Sequence, residues 1–348
     1  MSRLAILNEP SPILDPGPDT RLIDSFGRRL TYLRVSVTDR CNLRCTYCLP
    51  ADAAFPFGDR DFLSADEIEQ LVGALVRLGI RRVRLTGGEP LLRRDILDIA
   101  RRVKALPGIE DLALSTNGTE LERLAPALKE AGVDRVNVSL DSLDPDTFRE
   151  ITRTGDIEQV WRGIEAALAA GLHPVKLNAV LLAQSNLEDV DRLVALTLER
   201  PLSIRFIEMM PTASNQHLQP AEYISCDTIR ARIEERFGKL EPAGLLAART
   251  GPAKAFRLPG GQGEVGFITP LSHTFCAECN RLRLTARGEL RLCLFADRIY
   301  PLRHLLAADD PGAALEAEIL RVLAEKPAEH MLTQGNYGNL VSFMQIGG

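Results

Sequence analysis

Two groups of three cysteines are the residues of this chain best suited to bind a metal. The first group, Cys41, Cys45 and Cys48, has the spacing C-x3-C-x2-C and follows an apolar segment. Structural zinc is usually closed by four ligands, whereas three cysteines on a [4Fe-4S] cluster leave one iron open to a further ligand. The count favours such a cluster, with a zinc knuckle or ordinary buried thiols as the alternatives.

The second group, Cys276, Cys279 and Cys293, again has three members. His273 lies close enough in sequence to complete a zinc site, so zinc stays an alternative here. The seventh cysteine, Cys226, stands alone near a predicted helix start and is expected to pack in the core. Six cysteines in two compact groups differ from a widely spaced disulfide framework and are typical of a reducing compartment.

Six short apolar segments alternate with helical patterns between residues 32 and 207, which predicts a parallel α/β sheet or partial barrel. Two patterns typical of helix starts, Ser64-x-x-Glu67 and Ser185-x-x-Glu188, and the pair Asp144-Pro145 support the intervening helices. The predicted strands are Leu33–Val37, Val83–Leu85, Leu112–Leu114, Val136–Leu140, Val175–Val180 and Ile204–Ile207.

These strands alternate apolar and polar residues, although strands of parallel sheets are usually apolar on both faces. The polar positions include Arg34, Arg84, Lys176 and Arg205. An antiparallel sheet with one wet face would give the same pattern. In a barrel, however, these cations would converge inside, and buried charges need partners. The pattern therefore predicts an anionic ligand, with a polyphosphate as the natural candidate because guanidinium groups match phosphate oxygens.

Length and composition restrict the class of protein. The chain has 348 residues, 45% of them hydrophobic, which suffices for one large domain and a smaller one. A net charge of −5 argues against a general nucleic-acid binder. An apolar run of transmembrane length and a leader pattern are both lacking, so we expect no membrane association and a cytoplasmic location.

A second motif accompanies the first cysteine group. Gly87-Gly88-Glu89-Pro90 alone would be an ordinary turn. Together with C-x3-C-x2-C it resembles the radical S-adenosylmethionine (SAM) superfamily, in which a GGEP motif receives the methionine amino group. The resemblance implies a [4Fe-4S] cluster on the first three cysteines. Its open iron would chelate SAM, and one electron would split SAM to a 5′-deoxyadenosyl radical.

From about Thr31 to the C-terminus the chain resembles, more specifically, the GTP 3′,8-cyclase family of molybdenum cofactor biosynthesis. One position differs, since the family usually has Thr where this chain has Ser115, whose hydroxyl can still form a hydrogen bond. The matching segments are Leu33–Cys41, Arg84–Pro90, Arg205–Glu208, Phe275–Arg283 and the terminal Gly347-Gly348.

The resemblance implies an α/β fold, an incomplete (β/α)6 barrel of TIM type closed by a smaller, irregular α+β domain. We expect an N-terminal arm over residues 1–28, the radical SAM barrel over 29–238 and the second cluster domain over 239–348. Strand-like segments at 255–258, 264–268, 282–285 and 290–294 and a helix at 313–325 belong to this last part.

The resemblance also implies roles for individual residues. The second cysteine group would hold a second [4Fe-4S] cluster whose open iron binds the guanine base. Arg34 and the terminal Gly347 and Gly348 are expected to be catalytic. The expected GTP contacts are Arg34, Arg84, Ser115, Lys176, Arg205, Arg281, Leu282 and Arg283, and the expected SAM contacts are Tyr47, Gly87, Gly88, Glu89, Ser139 and Met210.

The implied reaction is abstraction of the ribose H3′ of GTP and attack of C3′ on C8, which gives 3′,8-cyclo-7,8-dihydro-GTP. Cyclic pyranopterin monophosphate synthase would use the product, a flavodoxin-like or other reductant would supply electrons, and a homodimer is compatible with the sequence. A peptide-modifying radical SAM enzyme, without need for GTP, is the alternative enzyme. A non-catalytic iron-sulfur carrier or redox sensor is the alternative from another class.

Overall fold

The computed structural model of the chain describes residues 20–55, 58–218, 220–243, 251–332, 335, 336, 338 and 342–346. Within these ranges, every helix is too short or too polar to cross a membrane. The helices are α1 (Ala65–Leu78), α2 (Ile96–Ala105), α3 (Leu121–Glu130), α4 (Pro145–Thr152), α5 (Ile157–Ala169), α6 (Asp189–Glu199), α7 (Cys226–Phe237) and α8 (Pro311–Leu323).

The strands form one twelve-stranded sheet in the order β12-β11-β10-β1-β2-β3-β4-β5-β6-β9-β8-β7. Among the described residues β12 and β7 are its free edges, so the sheet is an incomplete barrel, as predicted. The strands are β1 (Tyr32–Ser36), β2 (Arg82–Thr86), β3 (Asp111–Thr116), β4 (Arg135–Ser139), β5 (Lys176–Leu181), β6 (Ser203–Glu208), β7 (Glu241–Pro242), β8 (Lys254–Arg257), β9 (Glu264–Ile268), β10 (Arg281–Leu284), β11 (Glu289–Arg291) and β12 (Tyr300–Pro301).

The six strands predicted in the first part of the chain are all present, each within two residues of its predicted ends. Strands β1 to β6 pair in parallel, which excludes the antiparallel alternative. The strands of the C-terminal part do not form a sheet of their own. Strand β10 pairs in parallel with β1, and β9 pairs in parallel with β6, so both edges of the barrel are extended. The domain limits at 28/29 and 238/239 stay predictions.

The alternation along the strands separates two faces of the sheet. Leu33, Val83 and Val136, for example, are fully buried in the main hydrophobic core with the helices. On the opposite face Arg34 lies in register with Arg84 on one side and with Arg283 on the other. The predicted cationic interior is therefore present, and it includes a strand from the far end of the chain.

Two of the three predicted helix starts are confirmed. Ser64 and Glu67 form a reciprocal capping box at α1, and Asp144 accepts a hydrogen bond from Thr147 N at α4. The prediction for Ser185 is wrong, because its hydroxyl donates to Glu222 Oε1 (2.8 Å) instead of capping α6. Residues 182–188 form a turn organised by an amide, since Leu182 N donates to Asn186 Oδ1 (2.8 Å).

Candidate active site

The first cysteine group lies on the loop after β1, at the carboxyl edge of the parallel strands where α/β proteins commonly bind ligands. Cys41, Cys45 and Cys48 line a cavity at this edge. The loop is fixed to the end of α4, because Arg44 N donates to Thr152 O (3.1 Å) and Thr46 N to Ile151 O (2.9 Å).

Gly87 and Gly88 line the same cavity and also pack against the backbone in front of Cys41. A Cβ atom on Gly87 would lie 2.5 Å from Thr38 O, and one on Gly88 would lie even closer to Arg40 O. Gly88 N donates to Thr38 O (2.8 Å) and Glu89 N to Arg40 O (2.7 Å). The glycines are therefore required by contact with the cysteine loop, independently of any bound molecule.

The side chain of Glu89 is fully buried and is absent from the described cavity lining. Its carboxylate accepts hydrogen bonds from Leu91 N (2.9 Å), Thr116 Oγ1 (2.8 Å) and Asn117 N (2.6 Å). Burial raises the pKa of Glu89 to about 7, although these donors oppose the shift. Glu89 thus joins the GGEP turn to the end of β3, and its contact with SAM stays a prediction.

The first group offers the donor chemistry that a cluster needs. Leu43 N and Asn117 Nδ2 both donate to Cys41 Sγ, at 3.4 and 3.9 Å, as is common for cluster thiolates. Burial raises the pKa of Cys41 to about 11 and that of Cys48 to about 12. Because of these raised pKa values, the two thiols are protonated at neutral pH, and they lose their protons only when they ligate a metal.

Tyr47 is held in the cavity wall by Asp141, a residue that the sequence reasoning missed. Tyr47 Oη donates to Asp141 Oδ2 (2.8 Å), and Val180 N donates to Asp141 Oδ1 (2.8 Å). Burial raises the pKa of Asp141 to about 6. The available signal was its position just after β4, two residues beyond Ser139, which lines the same cavity.

The second cysteine group lines another cavity. His273, the residue that kept zinc open as an alternative, pairs through Nε2 with Asp227 Oδ2 (2.7 Å) and is absent from the described lining. The histidine in that lining is His330, whose Nε2 donates to Pro270 O (3.0 Å). Among the described residues no set of three or more His, Cys, Asp or Glu side chains forms a single-ion site.

Cys279 differs from the cysteines of the first group. Burial alone would raise its pKa, but the neighbouring charges of Arg281 and Lys326 lower the pKa of Cys279 to about 6. The thiol is thus predominantly a thiolate at neutral pH, which is the form that binds iron. Both groups thus supply three free thiols, the donor type that iron-sulfur clusters use.

The second cavity is strongly cationic, and no carboxylate occurs among its described lining residues. Burial first, and then repulsion from Arg84 and Arg135, lowers the pKa of Arg205 to about 9. Cations that repel each other in a buried space are stabilised by a multivalent anion. The arginines in the lining are Arg34, Arg84, Arg205, Arg281 and Arg283.

Two predicted GTP contacts lie behind this lining. Lys176 is 3% exposed and is absent from the lining. Burial first, and then repulsion from Arg205, Arg135 and Arg84, lowers the pKa of Lys176 well below its usual value. The side chain of Leu282 is fully buried in the hydrophobic core, between the two cavity arginines Arg281 and Arg283 in sequence. The Leu282 side chain therefore faces away from the cavity.

Tyr32 is a lining residue that the sequence reasoning did not identify, because it was counted only as the start of an apolar strand. Its hydroxyl accepts a short hydrogen bond from Arg84 Nε. Burial alone would raise the pKa of Tyr32, but Arg84, Arg34 and Arg135 together lower it to about 8. A phenol thus lies at the centre of the cation cluster.

The two cavities share a wall, because Ser115, Asn178, Ile207 and Met210 line both. Arg84 Nη1 donates to Ser115 Oγ (3.1 Å), so the serine that replaces the usual threonine offers its hydroxyl at this position. Molecules bound in the two cavities would meet here. The predicted catalytic residues Gly347 and Gly348 lie outside the described residues.

Comparison with known proteins agrees with this geometry. Residues 35–197 match the family model of the radical SAM superfamily, and residues 202–332 match that of Molybdenum Cofactor Synthesis C. The GTP 3′,8-cyclase of Moorella thermoacetica is 48% identical over 325 residues, 93% of this chain and 99% of that protein. The GTP 3′,8-cyclase of Heliobacterium modesticaldum is 46% identical over 330 residues, 94% of this chain and 100% of that protein.

The fold is also similar to that of solved radical SAM enzymes. Streptococcus suis SuiB bound to its precursor peptide SuiA superimposes with a TM-score of 0.58 at 16% identity, over 86% of this chain and 66% of that chain. SuiB bound to S-adenosylmethionine gives a TM-score of 0.57 at 15% identity, over 86% of this chain and 67% of that chain. At this identity the likeness concerns the fold.

The open parallel barrel, with three cysteines on the loop after its first strand, defines an enzyme of the radical SAM superfamily. The adjoining cationic cavity with its second cysteine group lies largely within the C-terminal family region. With relatives of 40 to 48% identity over nearly its whole length, the chain belongs to the GTP 3′,8-cyclase family.

Proposed function

We propose that this protein is a GTP 3′,8-cyclase, which converts GTP to 3′,8-cyclo-7,8-dihydro-GTP in the first step of molybdenum cofactor biosynthesis. The observation that carries the proposal is the pair of cavities with a common wall, each lined by three cysteines, one of them rich in arginine. A radical enzyme must bring a cofactor and one C–H bond of its substrate together, and two adjoining cavities serve that purpose.

The first cavity is assigned to a [4Fe-4S] cluster on Cys41, Cys45 and Cys48 and to SAM. These cysteines would hold the cluster, which together with bound SAM and an electron from the reductant would supply the radical chemistry that the conversion of GTP requires. The other assigned SAM contacts are Tyr47, Gly87, Gly88, Glu89, Ser139 and Met210. Asp141 supports Tyr47 through the hydrogen bond from its hydroxyl.

The second cavity is assigned to GTP and to a second [4Fe-4S] cluster on the other three cysteines. Its arginines bind the triphosphate, and Lys176, buried behind them, adds to the positive potential. The large number of cations without a lining carboxylate supports a polyanionic substrate over a neutral one. Leu282 can take part only through its main chain, since its side chain is in the core.

The chain itself positions the nucleotide and excludes water. Ser115 lies in the common wall with a hydrogen bond from Arg84, so it can link the phosphate-binding cations to the ribose region. Ile207 and Met210 give the same wall apolar surface, which shields a radical from solvent. Gly347 and Gly348 are proposed to reach the site as a terminal segment without side chains.

We further propose that the enzyme acts as a lyase, that cyclic pyranopterin monophosphate synthase uses its product, and that a flavodoxin-like protein or another low-potential reductant supplies its electrons. A homodimer is compatible with the family. The peptide-modifying alternative has support only from the shared fold with SuiB at 16% identity, whereas relatives at 40 to 48% identity are GTP 3′,8-cyclases.

The test is anaerobic reconstitution with iron and sulfide, followed by dithionite and SAM, with and without GTP. We expect 5′-deoxyadenosine to form in a GTP-dependent manner together with a cyclised nucleotide, both identified by chromatography and mass spectrometry. Cleavage of SAM without use of GTP would contradict the substrate. If protein that carries both clusters reacts neither with SAM nor with GTP, the carrier or sensor alternative is favoured.

The number of clusters needs a separate measurement. In the variant with Cys276, Cys279 and Cys293 replaced by Ala, we expect iron to fall by about half, SAM binding to persist and the cyclised product to be lost. In the variant with Cys41, Cys45 and Cys48 replaced, about half of the iron remains but SAM cleavage is lost. Replacing Cys226, which is buried at the start of α7, should leave the iron content unchanged.

A further inference from the structure

Lys326 is a buried cation close to the second cysteine group but outside the cavity. Its side chain is 3% exposed, and it follows α8 closely, with Lys326 N donating to Leu323 O (3.1 Å). Lys326 is absent from the described lining of the arginine-rich cavity. A substrate phosphate in that cavity is therefore not the anion that this ammonium contacts.

The ammonium of Lys326 connects the two chain segments that carry the second cysteine group. Nζ donates to Arg281 O at 3.3 Å, two residues after Cys279. It also donates a short hydrogen bond to Leu292 O, directly before Cys293. Arg281 begins β10 and Leu292 directly follows β11, two strands that already pair with each other, so Lys326 reinforces this pair and ties both segments to the chain after α8.

Both acceptors of this ammonium are neutral carbonyl groups. Within the described part of the chain Lys326 forms no ion pair with a carboxylate. Its favourable charge interactions are with Cys279 and Cys293, whereas Arg28 and Arg281 repel it. A buried ammonium without a carboxylate partner is costly unless another anion compensates it.

A cluster on these cysteines would be that anion. Three thiolates give an oxidised [4Fe-4S] core a net negative charge, and reduction adds one more. A fixed positive charge stabilises the reduced state more than the oxidised state and thereby raises the reduction potential. The cavity arginines can be neutralised by a bound triphosphate, but Lys326 lies outside that cavity.

We propose that Lys326 is the internal counter-charge of the second cluster, which retains the cluster by joining the two cysteine segments and raises its reduction potential. The inference rests on the proposed function, because it requires a cluster on Cys276, Cys279 and Cys293. Lys326 is thus a positioning residue that acts on the cluster and has no contact with the substrate cavity.

The test uses the full-length chain with Cys41, Cys45 and Cys48 replaced by Ala, so that only the second cluster is present. In this parent we would compare Lys326→Gln, which keeps a donor but removes the charge, with Lys326→Arg, which keeps the charge. Lys239→Gln, at an exposed lysine, is the matched control. The readouts are iron retained on desalting and the midpoint potential from EPR-monitored redox titration.

We expect Lys326→Gln to bind the cluster about tenfold more weakly, as is typical for partners of metal ligands, and to shift the potential of the remaining cluster to more negative values. Lys326→Arg and Lys239→Gln should stay close to the parent. Equal iron content and equal potential in Lys326→Gln and the parent would overturn the proposal. A parent that holds no iron would overturn both the proposal and the second cluster.

If Lys326→Gln loses the cluster completely, the unfolding temperature of the metal-free proteins distinguishes a role of Lys326 toward the cluster from a role in the fold. A cation that serves mainly the cluster contributes little to the metal-free fold, where the charge of Cys279 offsets its burial only in part. We therefore expect metal-free Lys326→Gln to unfold at the same temperature as the metal-free parent, or higher. A clear fall in that temperature would mean that Lys326 is structural and would overturn the proposal.

Discussion

Arg34 is a predicted GTP contact, and it lies between two further arginines in the barrel interior. It lies in register with Arg84 and Arg283 and lines the arginine-rich cavity. Its neighbours come from the two ends of the described chain, since β10 lies beside β1. An arginine at this position would contribute to the binding of a triphosphate in two ways. It would form charge-assisted hydrogen bonds, and it would add to the positive potential of the cavity.

We expect Arg34→Gln to weaken GTP binding at least about tenfold, since a charge-assisted hydrogen bond contributes about 1.5–3 kcal/mol. SAM binding should stay within about twofold of the wild type, because Arg34 does not line the first cavity. Equilibrium dialysis under anaerobic conditions measures both constants. Arg101→Gln, at an exposed position of α2, is the control, and an equal loss of both ligands would contradict the phosphate role.

We expect Tyr32 to make the affinity for GTP depend on pH. Its pKa of about 8 means that the phenol ionises just above neutrality, and the phenolate then competes with an anionic substrate for Arg84 and Arg34. An anion binds better to the neutral phenol, so GTP affinity should fall as the pH rises through this pKa. By linkage, the fall approaches about tenfold one unit above the pKa.

The measurement is the dissociation constant of GTP between about pH 7 and 9 for wild type, Tyr32→Phe and the control Tyr223→Phe. Tyr32→Phe should lose most of the pH dependence, because it cannot ionise, and Tyr223→Phe should keep it, because Tyr223 is absent from the described lining. The same slope in all three proteins would show that Tyr32 does not control binding.

At the scale of elements, the GGEP turn connects the cysteine loop to the end of β3. Gly88 contacts the backbone before Cys41, and Glu89 receives hydrogen bonds from Thr116 and Asn117. The same Asn117 donates to Cys41 Sγ. The turn can therefore affect the first cluster through contacts within the protein.

Gly88→Ala should displace the cysteine loop, because its Cβ would overlap the carbonyl of Arg40. We expect the iron of the first group to fall severalfold while that of the second group is retained, as measured by iron analysis and EPR. Gly58→Ala, whose Cβ would make only an ordinary contact at 3.7 Å, is the control. Full iron content in Gly88→Ala would contradict this account of the turn.

Glu89→Gln should destabilise the metal-free fold by about 1–3 kcal/mol. The reason is that all three partners of Glu89 are donors, and an amide supplies only one acceptor oxygen. Denaturant unfolding measures the change, with the exposed Glu110→Gln as the control. An unchanged free energy of unfolding together with weaker SAM binding would instead assign Glu89 to the cofactor alone.

At the scale of the whole molecule, Arg28 joins the beginning of the described chain to the second cysteine group and to the segment after α8. Its guanidinium pairs with Asp24 and donates to three carbonyls, those of Cys276 (2.8 Å), Ala328 (2.7 Å) and Pro327 (2.6 Å). The residue is 8% exposed. Arg28, at the end of the predicted N-terminal arm, thus contacts the segment that carries the second cysteine group.

Arg28→Lys should lower the iron content of the second group and reduce the free energy of unfolding by about 2–4 kcal/mol, because a lysine cannot reproduce this set of directed donors. Iron analysis, EPR and denaturant unfolding check the prediction. Arg29→Lys, at the exposed neighbouring position, should behave as the wild type. If Arg28→Lys kept all of its iron, the contact with Cys276 would have no role in holding the cluster.

Local patterns in the sequence determined the parallel strands, their cationic face, the capped starts of α1 and α4 and the two cysteine groups. These features depend on residues a few positions apart, so a period of two or a C-x2-C spacing reveals them. The predicted cap of α6 was wrong because a local pattern cannot reveal a distant partner. Ser185 binds Glu222, which is far away in sequence.

Only the tertiary structure decided how the distant parts meet. The C-terminal strands continue both edges of the barrel sheet, which brings the second cysteine group to the cavity of Arg34. The same packing places Tyr32 against Arg84 and Lys326 against the carbonyls beside the cysteines. Such contacts join residues dozens to hundreds of positions apart, and no local period encodes them, because they are fixed by strand order and burial.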